Sequence, residues 1–166
     1  MVSLIDRISS WSCRLSLVVA VIAATVMVVS LLLGVFYRYV VQSSLSWTGE
    51  VALLAFTWVV FLVSSAGVRE GFHVRVTLFD GMLPASARIW LHRLLIVVIG
   101  AFGAVLAWTG YDFSVFTSSQ LSAAIRYPMW LRNSAVAVAG ALIVVHALAL
   151  LVTGRYLDRS EEEAST

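Results

Sequence analysis

The sequence is poor in charge. Only 12% of its residues are charged, whereas a soluble domain carries roughly a quarter. Lysine is absent, and all 11 basic residues are arginines. Such a chain cannot cover itself with a solvated surface, which excludes a soluble globular protein. The formal charge of +2 does not indicate nucleic-acid binding, because the arginines are scattered between apolar runs and are typical of orienting charges in a membrane protein.

Residues that carry chemistry are equally scarce. A single cysteine, Cys13, excludes an internal disulfide and a cysteine-based metal cluster. Its position near a helix start suits a small apolar residue. The sequence contains no nucleophile triad, no phosphate-binding loop and no metal-ligand spacing. It therefore predicts no catalytic residue, no metal site and no enzymatic activity.

What the sequence does contain is long apolar runs. Hydrophobic residues make up 61% of the chain, and the mean hydropathy is +0.96. A membrane-spanning helix needs about 20 apolar residues, with a range of roughly 17 to 25. Four uncharged runs meet this requirement, and they are continuous rather than alternating, which excludes a β-barrel. The runs cover residues 15–37, 51–68, 94–111 and 133–154.

These runs predict an all-α integral membrane protein with one four-helix domain over residues 1–157. The first run is too long for a signal peptide and lacks a small-residue cleavage site, so we expect a retained helix. Residues 1–14 are predicted to form an interfacial turn that bends into this helix. The acidic tail 158–166 is predicted to be disordered. The expected helices cover about 15–37, 47–68, 85–111 and 128–154.

The arginines predict the orientation. Eight of them would lie on the side of both termini, whereas Arg38, Arg126 and Arg132 would lie on the other side. The positive-inside rule places the richer side in the cytoplasm. Both termini are therefore expected to be cytoplasmic, and the three remaining arginines mark the outer membrane edge. Between helices two and three, the segment with Arg69, His73 and Arg75 is expected to lie along the cytoplasmic membrane surface.

Helix two carries an unusual aromatic stripe. Its members follow helical spacing and share one face: Trp47, Glu50, Leu54, Trp58 and Phe61. A residue of the aromatic belt and a boundary charge would explain the first two members, but not Trp58 near mid-membrane. Buried aromatic residues are common interface anchors. The stripe is therefore a candidate subunit interface.

Helix three offers a second candidate interface. Gly100 with Ala104, and Gly103 with Ala107, are pairs of small residues at a spacing that lets another helix approach closely. At the outer edge, Arg38 and Glu50 end adjacent helices. They could form an ion pair or remain two solvated charges, and the sequence leaves both alternatives open.

A four-helix membrane protein can also be a haem-b anchor. Such an anchor uses axial histidines from different helices at similar depth. His146 lies inside helix four, and His92 starts helix three among arginines that favour a solvated position. A hydrogen bond to a neighbouring helix is the other interpretation of His146. The sequence predicts no cofactor, and the haem anchor stays an alternative.

Four further motifs occur along the chain. They are a Ser-Trp-x-x-Glu start at 46–50, a Trp-x-x-Phe-Leu middle at 58–62, an Arg-x-x-x-His end with a following Arg-Val at 69–76, and a later apolar-spacer-Pro-aromatic segment at 125–130. Together these motifs resemble the small membrane subunit (DctQ type) of TRAP (tripartite ATP-independent periplasmic) transporters.

The resemblance implies partners and a function. Such a subunit pairs with a large membrane subunit of about a dozen helices, which holds the substrate and sodium sites, while a periplasmic binding protein delivers an organic acid. This implies a scaffold subunit in the bilayer of a bacterial or archaeal inner membrane, with Arg38, Arg126 and Arg132 as candidate contacts to the binding protein. A small autonomous transporter is a further alternative, but the chain lacks polar midplane residues and an evident internal repeat.

Overall fold

Four long helices make up the described part of the protein. The computed structural model describes residues 2–70 and 85–154. All four helices are long and apolar enough to cross a membrane, which confirms the predicted all-α fold. Within the described residues there is no strand, only an isolated bridge between Leu121 and Pro128. The elements are α1 (Val2–Phe36) with a π-helical turn (Tyr37–Val41), α2 (Trp47–Arg69), α3 (Ala85–Phe116) and α4 (Trp130–Thr153).

The first helix is longer than the apolar run predicts. It begins at Val2 rather than near residue 15, so the expected interfacial turn is part of α1. The reason is a stripe of small residues that continues through the polar start of the helix. Ser9, Cys13, Ser16 and Ala20 are all buried at helical spacing. The predicted surface positions His73 and Arg75, and the acidic tail, lie outside the described residues.

The helices pack side by side in the order α1, α2, α4 and α3. Helix α1 packs on α2, α2 on α4, and α4 on α3, while α1 also reaches α4. The two inner helices are accordingly the more buried: within an apolar stretch of 18 residues in each helix, 33% of the residues are buried in α2 and 39% in α4, against 11% in α1 and α3. We call the end with the connections 37–46 and 117–129 the hairpin end. The opposite end, with Asp6 and Arg69, is the terminal end.

Helices α3 and α4 touch through their backbones. A Cβ atom added at Gly140 would lie 2.4 Å from the amide nitrogen of Ala107, and one at Gly110 would lie 2.6 Å from that of Ala137. Only glycine permits this approach, because a side chain at either position would meet the backbone of the facing helix. The short distance gives the two helices dispersion contacts that larger side chains would prevent. Of the small residues predicted on α3, Gly100, Gly103 and Ala107 therefore face α4 of the same chain.

Candidate functional sites at the two ends of the helices

At the hairpin end, the Glu50 carboxylate binds the connection between α3 and α4. The Ser122 hydroxyl donates to its Oε2 atom over 2.8 Å. The backbone N–H of Ala124 donates to Oε1 over 2.8 Å, and that of Ile125 to Oε2 over 2.9 Å. Hydrogen bonds to a charged acceptor are roughly twice as strong as neutral ones. One side chain of α2 thus fixes a connection more than seventy positions further along the chain.

The bound connection has a tight shape of its own. The Ser122 N–H donates to the Tyr127 carbonyl over 2.9 Å, and the Met129 N–H donates to the Gln120 carbonyl over 2.9 Å. Between them, Arg126 has a φ of 61°. This left-handed conformation costs a residue other than glycine on the order of 1 kcal/mol or more, so surrounding contacts must hold it. The Glu50 carboxylate supplies such contacts, and Arg126 is exposed in this loop.

Neither alternative for Glu50 matches this geometry. The described contacts of its carboxylate go to the α3–α4 connection, and no ion pair with Arg38 forms. Arg38 lies exposed in the π-helical turn. Of the other predicted edge residues, Arg126 is exposed and Arg132 is half-buried. The hairpin end therefore carries exposed arginines beside a carboxylate that is already bound.

The aromatic stripe of α2 runs partly along α4. The Trp58 indole N–H donates to the Leu131 carbonyl over 3.1 Å, which ties the two inner helices together. Leu54 and Phe61 are half-buried, whereas Trp47 is exposed at the hairpin end. The stripe thus already has contacts within the chain. Its predicted role as a subunit interface stays a prediction, as does that of Gly100, Gly103 and Ala107.

At the terminal end, a polar cluster joins three helices. The Arg69 guanidinium donates to the Asp6 carboxylate and to the Ser9 hydroxyl, each over 3.3 Å. The Ser9 hydroxyl lies 2.9 Å from Nδ1 of His146. Both Ser9 and His146 are almost fully buried, at 1% and 0% exposure. The Ser9 hydroxyl is thus bonded to both Arg69 and His146, and α1, α2 and α4 are linked in one chain of contacts.

The cluster supplies the hydrogen bond that one interpretation of His146 expected. Its Nδ1 atom is bonded to a neighbouring helix, as one of the two predicted alternatives required. Arg69 is half-buried between helices rather than lying free on the membrane surface. Sequence analysis assigned no role to Asp6 or Ser9 and so missed both. Among the described residues, no group of three or more His, Cys, Asp or Glu side chains is placed to hold a metal ion.

Replacing Ser9 with alanine is expected to lower the free energy of unfolding by about 1–2 kcal/mol. The change leaves Nδ1 of His146 buried without its hydrogen bond, and such a loss costs roughly 1–3 kcal/mol. Thermal unfolding in detergent measures the effect. Ser12→Ala is the matched control, because the Ser12 hydroxyl bonds only to the Ile8 carbonyl of its own helix among the described contacts. Equal midpoints for the two variants would contradict the assigned role of Ser9.

The described structure is that of a multi-pass membrane protein whose ionic and carboxylate contacts lie at the two ends of its helices. The chain belongs to the family described as tripartite ATP-independent periplasmic transporters, DctQ component, which matches residues 27–155. No individual curated protein gives a match. The family confirms the resemblance seen in the sequence. The family makes the chain a component of a TRAP transporter, and such a component is not an enzyme. Its partners in the transporter are a large permease and a binding protein.

Proposed function

We propose that this chain is the scaffold subunit of a sodium-coupled TRAP transporter for organic acids. It braces the large permease subunit, and its hairpin end helps to dock the periplasmic binding protein. On this proposal the subunit lies in the inner membrane with both termini in the cytoplasm. The distribution of the arginines supports that orientation, because eight of the 11 fall on the side of the termini.

The observation that carries the proposal is where the polar contacts lie. Glu50 is bound at the hairpin end and Arg69 at the terminal end. Between these ends, the hydroxyls of Thr25, Thr57 and Thr109 bond to carbonyls one turn earlier in their own helices. A translocation path needs polar groups or broken helices near the midplane. Membrane spans whose hydroxyls bond within their own helix suit a scaffold subunit better than a translocation path for an organic acid.

The docking role is supported by the hairpin end. Arg38 and Arg126 are both exposed there, and Glu50 holds the loop that carries Arg126. A loop fixed before binding loses less conformational freedom when a partner arrives, which favours affinity. Exposed arginines also steer partners that present negative charge. The proposal therefore gives Glu50 a positioning role and the arginines a contact role.

Reconstituted transport tests the proposal. Proteoliposomes would contain this chain, the large subunit or both, with the binding protein added outside and an inward sodium gradient. The probes would be a labelled dicarboxylate, a keto acid and a sialic acid. We expect uptake of at least one probe only when all three proteins and the gradient are present. Uptake by this chain alone would establish an autonomous transporter, and full uptake without the chain would refute a required scaffold.

A spectrum of the purified protein tests the redox alternative. A haem-b anchor would show a Soret band, and that band would be lost in His146→Ala. We expect no such band, because the family is one of transporter components. A Soret band that follows His146 would instead favour the redox complex.

A further inference from the structure

An apolar groove crosses the surface where α1, α2 and α4 meet. Its volume is about 540 Å³, which is within the roughly 300–1,000 Å³ of sites that hold a small molecule. The wall on α1 runs from Ile8 to Val19, and Trp58 and Val138 line the groove from α2 and α4. Val19 and Val138 are each 40% exposed, so the groove opens sideways from the helices.

The groove has the depth of one membrane leaflet. From Ile8 to Val19 the helix rises about 16 Å. Half of the hydrocarbon core of a bilayer is about 15 Å. At the shallow end Trp11 is 74% exposed, which suits a tryptophan at headgroup level. At the deep end the groove reaches the Trp58 indole near the middle of α2. Its surroundings are therefore hydrocarbon over most of its length.

An exposed cation lies at the shallow end. Arg7 is exposed and lies one helical turn before Trp11, which lines the groove. Arg7 forms no ion pair in the part of the chain that the structure describes, whereas Arg69 is already paired with Asp6. An arginine at headgroup level attracts and can hydrogen-bond a phosphate group. Apolar walls with a cation at one end match a phospholipid, which is a hydrocarbon chain with a phosphate at one end.

We propose that this groove binds one acyl chain of a phospholipid from the leaflet around the terminal end, with the lipid phosphate beside Arg7. Filling the groove restores the dispersion contacts that its walls would otherwise lack. The bound chain would add to the contacts between α1 and the two inner helices. This proposal concerns lipid binding alone and does not depend on the proposed role in transport.

Native mass spectrometry of the full-length protein tests the proposal, with whichever membrane partner stays bound in mild detergent. The protein would be equilibrated with phosphatidylglycerol and phosphatidylethanolamine in equal parts. We expect one retained phospholipid, which is lost in Val19→Trp and in Val138→Trp because each indole fills the groove. Val105→Trp, on a part of α3 that is 57% exposed and away from the groove, should keep the lipid. Arg7→Gln should lower the share of the anionic lipid relative to Arg38→Gln, which changes an exposed arginine at the other end.

Three results would overturn the proposal. One is a wild-type protein that retains no phospholipid. Another is equal lipid retention in the groove variants and in Val105→Trp. The third is a photo-crosslinker at position 138 that reacts with a protein partner in the native membrane and not with lipid, which would assign the groove to a protein.

Discussion

Replacing Gly140 with alanine is expected to force α3 away from α4 and to lower the free energy of unfolding by about 3 kcal/mol, the upper part of the range for overpacking. The added Cβ would lie 2.4 Å from the amide nitrogen of Ala107 and 2.7 Å from the carbonyl oxygen of Gly103. Both are backbone atoms, so relief requires a shift of the whole helix. Because α3 packs mainly on α4, this shift would disturb its principal contact in the chain.

A graded series of glycine variants checks this prediction. Gly49 has no atom within 4 Å of an added Cβ, and Gly100 would meet only the Cβ of Ala147, at 3.3 Å. In a helix alanine is favoured over glycine by about 1 kcal/mol, so Gly49→Ala should be neutral or stabilising. The unfolding midpoint in detergent should be highest for Gly49→Ala, lower for Gly100→Ala and lowest for Gly140→Ala. A Gly140→Ala protein as stable as Gly49→Ala would show that the two helices do not touch as described.

Replacing Glu50 with glutamine is expected to release the connection between α3 and α4. An amide offers one oxygen where the carboxylate offers two, and its NH₂ group would face the N–H donor of either Ala124 or Ile125, which bond different oxygens of Glu50. The hydrogen bonds that remain would also lose their ionic character. Hydrogen exchange of the amides at 124 and 125 measures the release directly. In the wild type these amides should exchange slowly, and in Glu50→Gln they should exchange many times faster.

The matched control for Glu50→Gln is Asp112→Asn. Asp112 is also an acidic residue near the hairpin end, but its side chain is exposed. Among the described contacts, it makes no hydrogen bond to the α3–α4 connection. Its replacement should leave exchange at 124 and 125 unchanged. In reconstituted transport, Glu50→Gln should reduce uptake more than Asp112→Asn if the loop position matters for docking. Slow exchange at 124 and 125 in Glu50→Gln would contradict the positioning role of Glu50.

The number and type of helices follow from the sequence because the bilayer imposes one simple requirement. Each spanning helix needs about 20 apolar residues, and charges interrupt the runs. The start of α1 does not follow from this requirement. Ser9 and Cys13 are buried because their small size lets other helices pack against them. Serine also occurs at exposed positions, so the sequence does not show which of these residues are buried.

The partners of the charged residues could not be predicted for a different reason. Glu50 binds mainly backbone N–H groups, and every residue except proline carries one, so no sequence pattern identifies them. Arg69 and His146 meet Ser9 from distant parts of the chain. For Gly103, the sequence indicated that some helix approaches closely, but not that the helix is α4 of the same chain. Motifs shared with a family indicated a transporter component, since no single site among the described residues carries a recognisable chemistry.

The most direct test of the scaffold function is to purify the chain from its native membrane. The full-length protein would carry an affinity tag and be extracted in mild detergent without added partners. The account predicts that one large multi-pass membrane protein is recovered with it in a fixed ratio near one to one, and that the pair stays together in size-exclusion chromatography. Recovery of this chain as a homogeneous four-helix protein, with no large membrane partner under any mild extraction, would contradict it.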